Sequence, residues 1–209
     1  MNNPPAHRDQ TEPRDNLVAT NITGLILAGG RGQRLGGRDK GLVTYRGQAL
    51  VAHVASRIAP QVGPLLVSCN RNHEAYAQLG FKTVQDTLPG YPGPLAGIAA
   101  SVDRIATPWM FCCPCDMPHV PTDVVACLQE TRAHPVAYIH DGARAQPLVC
   151  LIHHDALTSV SRYLQTGGRS VLGWMKQQGA TAVTWNSETR QIGTTVPFTN
   201  LNNPSDFAS

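Results

Sequence analysis

Apolar and polar positions along this 209-residue chain switch repeatedly between two periods. Ile22 to Leu27 is a short apolar run of the kind a strand buried on both faces requires. Gln48 to Ala59 follows the helical period, with Leu50, Val51, Val54, Ala55 and Ile58 on one face. Pro64 to Cys69 reads as a second strand, Asn72 to Leu79 as a short helix stopped by Gly80, and Lys82 to Gln85 as a third strand ending at Asp86. Pro94 fits the first position of a helix, where its missing N–H costs nothing. Trp109 to Cys113 is a wholly apolar strand halted by Pro114, and a helix from about Thr122 to Arg132 follows it.

The later part changes character. Val136 to His140 and Gln146 to Ile152 predict two strands joined by a turn at Asp141-Gly142, an antiparallel excursion. Helices over Asp155–Gln165 and Ser170–Gln178, separated by Gly167-Gly168, lead to a last strand at Ala180–Trp185. Strand–helix alternation at this spacing means βαβ units, hence an α/β domain with a mainly parallel sheet and helices on both faces. That domain is expected over residues 21–209, after a polar, Pro-rich and disordered tail over 1–20.

Composition sharpens this picture in three ways. With 42% hydrophobic and 15% charged residues the chain is globular. The net charge of +3 is too mild for a nucleic-acid binder, and the cations gather in one loop. No apolar run is long enough to span a membrane, and the first residues lack a signal peptide's apolar centre, so the expected compartment is the cytoplasm. Six cysteines are present, with Cys112, Cys113 and Cys115 crowded together. A zinc or iron–sulfur site would need a fourth ligand close by, and neighbours on a strand face opposite ways, so buried free thiols are expected. The His153-His154 pair reads as a strand end for the same reason.

The loop is Leu27-Ala-Gly-Gly-Arg-Gly-Gln-Arg-Leu-Gly-Gly-Arg-Asp-Lys40, at the exit of the first strand. Its five glycines let backbone N–H groups turn inward around an anion, and Arg31, Arg34, Arg38 and Lys40 add full positive charges. It matches neither the P-loop, which needs Gly-Lys-Ser/Thr, nor the dinucleotide fingerprint, which would need glycine at Leu35. A polyphosphate is the ligand such a loop suits. Across the sheet edge, Asp116 ends an apolar strand with a carboxylate, which suits a Mg²⁺ ligand beside phosphates. A turn cap before Met117-Pro118 is the other reading. Asp86 likewise either faces a ligand or caps the turn at Thr87.

With Tyr91-Pro-Gly-Pro-Leu-Ala-Gly97, Phe111-Cys-Cys-Pro-Cys-Asp-Met-Pro118 and Thr199-Asn-Leu-Asn-Asn-Pro-Ser-Asp206, this loop resembles the molybdenum cofactor guanylyltransferase family over roughly residues 22–206. The resemblance implies a Rossmann-like, three-layer α/β/α nucleotidyltransferase fold. It implies Mg²⁺-dependent transfer of GMP from GTP to the terminal phosphate of molybdopterin, with pyrophosphate released. Arg34, Lys40 and Asp116 would be catalytic, with Asp116 on the metal. Leu27, Ala28, Gly29, Gly30 and Gly93 would line the nucleotide, and Asp86 would accept from guanine. A base-binding Asn of the family falls at Ser68 here, with Asn70 two residues on as its substitute. Arg144, Arg169, Asn200 and Asn202 match molybdopterin positions, although each also suits a surface or turn. Gly97 would permit close chain approach, whereas Tyr91 and Trp109 are expected to pack. Proteins that deliver molybdopterin or chaperone molybdoenzymes are the implied partners. The alternatives are a cytidylyl- or sugar-phosphate nucleotidyltransferase of the same fold, and a non-catalytic molybdopterin or nucleotide carrier.

Overall fold

The computed structural model describes residues 19–30, 36–86, 93–131, 133–185 and 196–207. Most of the expected tail, with Arg31, Arg34 and Tyr91, lies outside the described residues. Ala19–Asn21 forms a single 3-10 turn that leads into the first strand.

The strands are β1 (Ile22–Leu27), β2 (Thr44–Tyr45), β3 (Gln48–Ala49), β4 (Leu65–Ser68), β5 (Lys82–Val84), β6 (Trp109–Pro114), β7 (Val136–His140), β8 (Ala145–His153) and β9 (Thr181–Thr184). The helices are α1 (Leu50–Ile58), α2 (His73–Gln78), α3 (Pro94–Ser101), α4 (Val124–Gln129), α5 (His154–Gln165) and α6 (Val171–Gln177). Among the described residues seven strands form one sheet in the order β5-β4-β1-β6-β8-β7-β9. Only β8 runs against its neighbours, pairing antiparallel with both β6 and β7. The expected excursion is therefore a single reversed strand inside an otherwise parallel sheet.

Strand alternation divides the core into two layers. Ile22 and Ile26 of β1, with Trp109, Phe111 and Cys113 of β6, face α1 and α4. Leu25 and Leu27, with Met110 and Cys112, face α3, α5 and α6. Cys112 and Cys113 thus point into opposite layers, and all six cysteines are buried free thiols. β8 ends at His153, whose Nδ1 accepts the Asp155 N–H at 3.4 Å and caps α5. Among the described residues no helix is long and apolar enough to cross a membrane.

One element departs from the sequence expectation. Gln48 and Ala49 do not begin a helix; they pair antiparallel with Tyr45 and Thr44. The two residues between the strands, Arg46 and Gly47, both take positive φ, 46° and 81°, as a tight hairpin turn requires. Arginine rarely adopts that conformation, so the turn has no sequence signal at its first position. α1 starts only at Leu50.

Candidate functional site

β1, β4, β5 and β6 are parallel, so their carboxyl ends share one edge of the sheet. The chain builds outward from β1 through β4 and β5, then returns to place β6 on β1's other side. Such a reversal of winding opens a crevice beyond the strand ends. A cavity of about 410 Å³ lies there. Leu27, Ala28, Gly29 and Gly30 line it from the end of β1, Ser68 and Asn70 from β4, and Asp86 from beyond β5. Pro114, Cys115 and Asp116 line it from β6, Gly93, Pro94 and Gly97 from the start of α3, and Lys40 closes one side.

Every described residue expected to bind the nucleotide is thus on this cavity wall, and Arg34 lies outside the described residues. Leu148 of β8 also lines the cavity and was not foreseen. The register that sets Cys150 opposite Cys112 carries Leu148 to the level of Pro114, the last residue of β6. The antiparallel excursion was expected, but the sequence does not indicate that β8 pairs with β6 and so brings Leu148 to this edge.

Local backbone chemistry shapes the wall. Gly93 sits at φ 91° before Pro94, a conformation open to glycine and strained for other residues. A β-carbon on Gly97 would run into Ser68 Oγ and lie 3.2 Å from Leu27 Cδ2. α3 therefore packs directly on the ends of β1 and β4. Gly97→Ala is expected to destabilise the protein by about 1–3 kcal/mol through overpacking, read as a lowered Tm. Unchanged melting would show that α3 can retreat freely.

The polar centre is a lysine shared between two acceptors. Lys40 Nζ donates to Asp116 Oδ2 at 2.5 Å and to Asn202 Oδ1 at 2.6 Å. The Asp116 and Lys40 side chains are 14% and 22% exposed, so the pair sits at the cavity wall rather than in the core. The C-terminal segment reaches this place because Leu201 N–H donates to the Asp116 carbonyl at 2.9 Å and Leu201 packs with Tyr45 and Leu50. Asp206 Oδ2 accepts from the N–H groups of Asn203 at 2.8 Å and Asn202 at 2.7 Å, which holds its carboxyl below the usual range. Sequence reasoning placed Asn202 at the pterin; the structure brings it to Lys40.

Asp116 Oδ1 is buried and, among the described residues, accepts no hydrogen bond. Asn200 Oδ1 is in the same condition. A buried carboxylate oxygen without a donor costs free energy unless a cation meets it, so this donor set fits a hard divalent ion. Among the described residues no three His, Cys, Asp or Glu side chains cluster. Mg²⁺ commonly takes one or two carboxylates and completes its shell with phosphates and water.

The remaining candidate residues divide between the cavity wall and places away from it. Asn70 Oδ1 accepts the Asp86 N–H at 3.0 Å and fixes the acidic residue's backbone at the wall. Cys115 lines the cavity, but burial, with Asp116 and Asp39 nearby, pushes its thiol well above the ordinary value, so it offers no nucleophile at neutral pH. Arg144 is exposed and pairs with Asp141 at 3.7 Å in the β7–β8 turn. Arg169 Nη1 donates to the carbonyls of Leu164 at 2.9 Å and Gly168 at 2.6 Å. The structure brings neither arginine to the cavity wall. Trp109 packs edge-on to His153 at 4.9 Å, at the opposite end of β6 from Asp116, as expected of a packing group.

A family model described as the MobA-like NTP transferase domain matches residues 24–181. A molybdenum cofactor guanylyltransferase of Cupriavidus necator is 46% identical over 166 residues, covering 76% of this chain and 83% of that protein. Among solved structures, molybdopterin-guanine dinucleotide biosynthesis protein A of Archaeoglobus fulgidus superposes with a TM-score of 0.69 at 21% identity, covering 88% of this chain and 94% of that one. CMP:2-keto-3-deoxy-manno-octonic acid synthetase complexed with CTP superposes at 0.66 with 14% identity, covering 89% and 95%. The fold is thus common to proteins of different nucleotide.

Proposed function

The chain belongs to the MobA-like NTP transferase family, and from that membership we propose that it is a molybdenum cofactor guanylyltransferase. It moves GMP from GTP to the terminal phosphate of molybdopterin. An oxygen of that phosphate bonds to the α-phosphorus, the bond to the β-bridging oxygen breaks, and pyrophosphate leaves. The observation that carries this reading is the Lys40–Asp116 pair at the strand-end crevice, on the same cavity wall as Asp86.

The residues present suit this chemistry. A phosphate monoester is already largely dianionic at neutral pH, its second pKa being about 6, so the attacking oxygen needs no general base. The work left to the protein is alignment and neutralisation of charge. Lys40, held on the cavity wall, would meet the β- and γ-phosphates and then stabilise the departing pyrophosphate, assisted by Arg34. Asp116 would hold Mg²⁺, its Oδ1 being the buried oxygen that accepts no hydrogen bond among the described residues. Bound there, the metal supplies Lewis-acid polarisation of phosphate oxygens. Asp86 accepts from the guanine N1–H and 2-amino group, a donor pair cytosine does not have, while Leu27 to Gly30, Ser68, Asn70 and Gly93 shape the nucleotide wall.

The molybdopterin side opens toward β7 and β8. β8 opposes β6, so the Asp141–Arg144 turn lies at the Asp116 edge of the sheet. α5 starts from the far edge, and Arg169 follows its C-terminal end, bonded to the Leu164 carbonyl. We assign Arg144, Arg169 and Asn200 to the pterin and its phosphate, with Asn202 acting through Lys40. Proteins that supply molybdopterin and receive the finished cofactor, in the cytoplasm, are the partners this reading implies.

Calorimetric titration with GTP, CTP and UTP in Mg²⁺ tests the nucleotide. GTP is expected to bind at least tenfold more tightly than either pyrimidine nucleotide, since site-directed hydrogen bonds discriminate strongly. Tight CTP binding without GTP binding would make the protein a cytidylyltransferase. Pyrophosphate release from GTP that depends on added molybdopterin separates an enzyme from a carrier.

A further inference from the structure

Asp39 stands next to Lys40 in the chain, yet its carboxylate turns away from that lysine and into the protein. Its side chain is 5% exposed. Oδ1 accepts from the Tyr76 hydroxyl at 2.7 Å and from the Gly41 N–H at 3.2 Å, and Oδ2 accepts from Asn72 Nδ2 at 3.0 Å. Arg71 Nε lies 3.9 Å from Oδ2, while its Nη1 and Nη2 donate to the carbonyls of Gly37 at 2.7 Å and Arg38 at 2.9 Å. All of these partners except Gly41 come from the turn after β4 and from α2. One short stretch, residues 71–76, therefore grips Gly37, Arg38 and Asp39 near the end of the glycine loop.

Two features mark this grip as more than incidental packing. Asn72 sits at φ 57°, in the left-handed region that few non-glycine residues adopt, and from there its amide reaches Asp39. Tyr76 is fully buried, and burial together with its bond to Asp39 pushes its hydroxyl far above the ordinary value, so it remains a donor. A β-carbon at Gly41 would collide with that hydroxyl, so loop and helix touch at their closest possible approach.

The charge arrangement follows. Three donors and a guanidinium satisfy Asp39, which leaves the Lys40 ammonium to Asp116 and Asn202 on the cavity wall. Were Asp39 to lose its partners, a second carboxylate one residue away would compete for that ammonium. We infer that Asp39, fixed by Tyr76 and Asn72, is a positioning residue that keeps Lys40 aimed at the site of the β- and γ-phosphates. This rests on the reading of Lys40 given above.

Two mild variants test it. Tyr76→Phe removes one hydroxyl from a buried ring, and Asn72→Gly removes the amide while keeping a residue at ease with positive φ. Each is expected to weaken GTP and pyrophosphate binding about fivefold, the worth of one net hydrogen bond, while GMP affinity stays unchanged. A simple loss of folding or pocket shape would weaken GMP as much as GTP. The same substitutions made in a Lys40→Ala background are expected to have no further effect on GTP. If the two effects add, or if GMP weakens equally, Asp39 does not act through Lys40 and the inference falls alone. If Lys40→Ala itself leaves GTP affinity untouched, the phosphate role of Lys40 and this inference fall together.

Discussion

Asp116→Asn is expected to give a folded protein whose Mg²⁺-dependent turnover has dropped by about three orders of magnitude. The amide keeps the shape of the carboxylate and an oxygen for Lys40, so the cavity wall survives. It loses the negative charge by which, on the proposed reading, the buried Oδ1 would hold a divalent cation. Losing the lysine pair costs little stability by comparison. Both side chains reach solvent, and part-exposed ion pairs contribute about 1 kcal/mol or less, which for a chain of this size moves Tm by roughly 2–4 °C. Rate and stability therefore separate widely. Pyrophosphate release at saturating Mg²⁺, measured beside a melting curve, reads both. Turnover within tenfold of the unmodified protein would take Asp116 off the metal, and a collapse of Tm by more than about 10 °C would make its role structural.

Much of this site was legible because its residues sit where strands stop. An apolar run says where a strand lies, and in a parallel sheet the residue just past it faces the ligand edge. Asp86 and Asp116 follow that rule, as does the glycine-rich start at Gly29 and Gly30. What stayed hidden depends on contacts between distant segments. Asn202 meets Lys40 because the C-terminal segment folds back, and nothing near Asn202 in sequence indicates it. Leu148 reaches the cavity because β8 pairs with β6 rather than with β7 alone. The Tyr76–Asp39 bond joins residues 37 apart, and locally Tyr76 reads as one more apolar position on a short helix. The hairpin at Arg46-Gly47 was concealed for a different reason: its first residue adopts a backbone conformation its type disfavours.

These hidden contacts share a purpose. The ammonium of Lys40 is held by two groups from distant parts of the chain, Asp116 just past β6 and Asn202 of the C-terminal segment, while Tyr76 of α2 holds the neighbouring Asp39. A flexible lysine loses considerable side-chain entropy when it is ordered, and that loss is met here before any ligand arrives. Binding of a triphosphate then finds the cation in place, which is the condition under which a charge contributes most to catalysis.

Lys40→Ala is accordingly expected to separate GTP from GMP. Charge-assisted hydrogen bonds contribute about 1.5–3 kcal/mol, so GTP and pyrophosphate should bind roughly 10- to 100-fold more weakly. GMP has no β- or γ-phosphate and should bind as before. The free protein should respond as well, since removing the lysine strips Asp116 of its cation and Asn202 of its donor. Mg²⁺ should then bind the ligand-free variant more tightly than the unmodified protein, because the metal no longer competes with an ammonium for the same carboxylate. Titrations with GTP, GMP and Mg²⁺ on one preparation measure all three quantities. Equal weakening of GTP and GMP would place Lys40 at the nucleoside or α-phosphate instead. Unchanged Mg²⁺ affinity would mean that lysine and metal do not share Asp116.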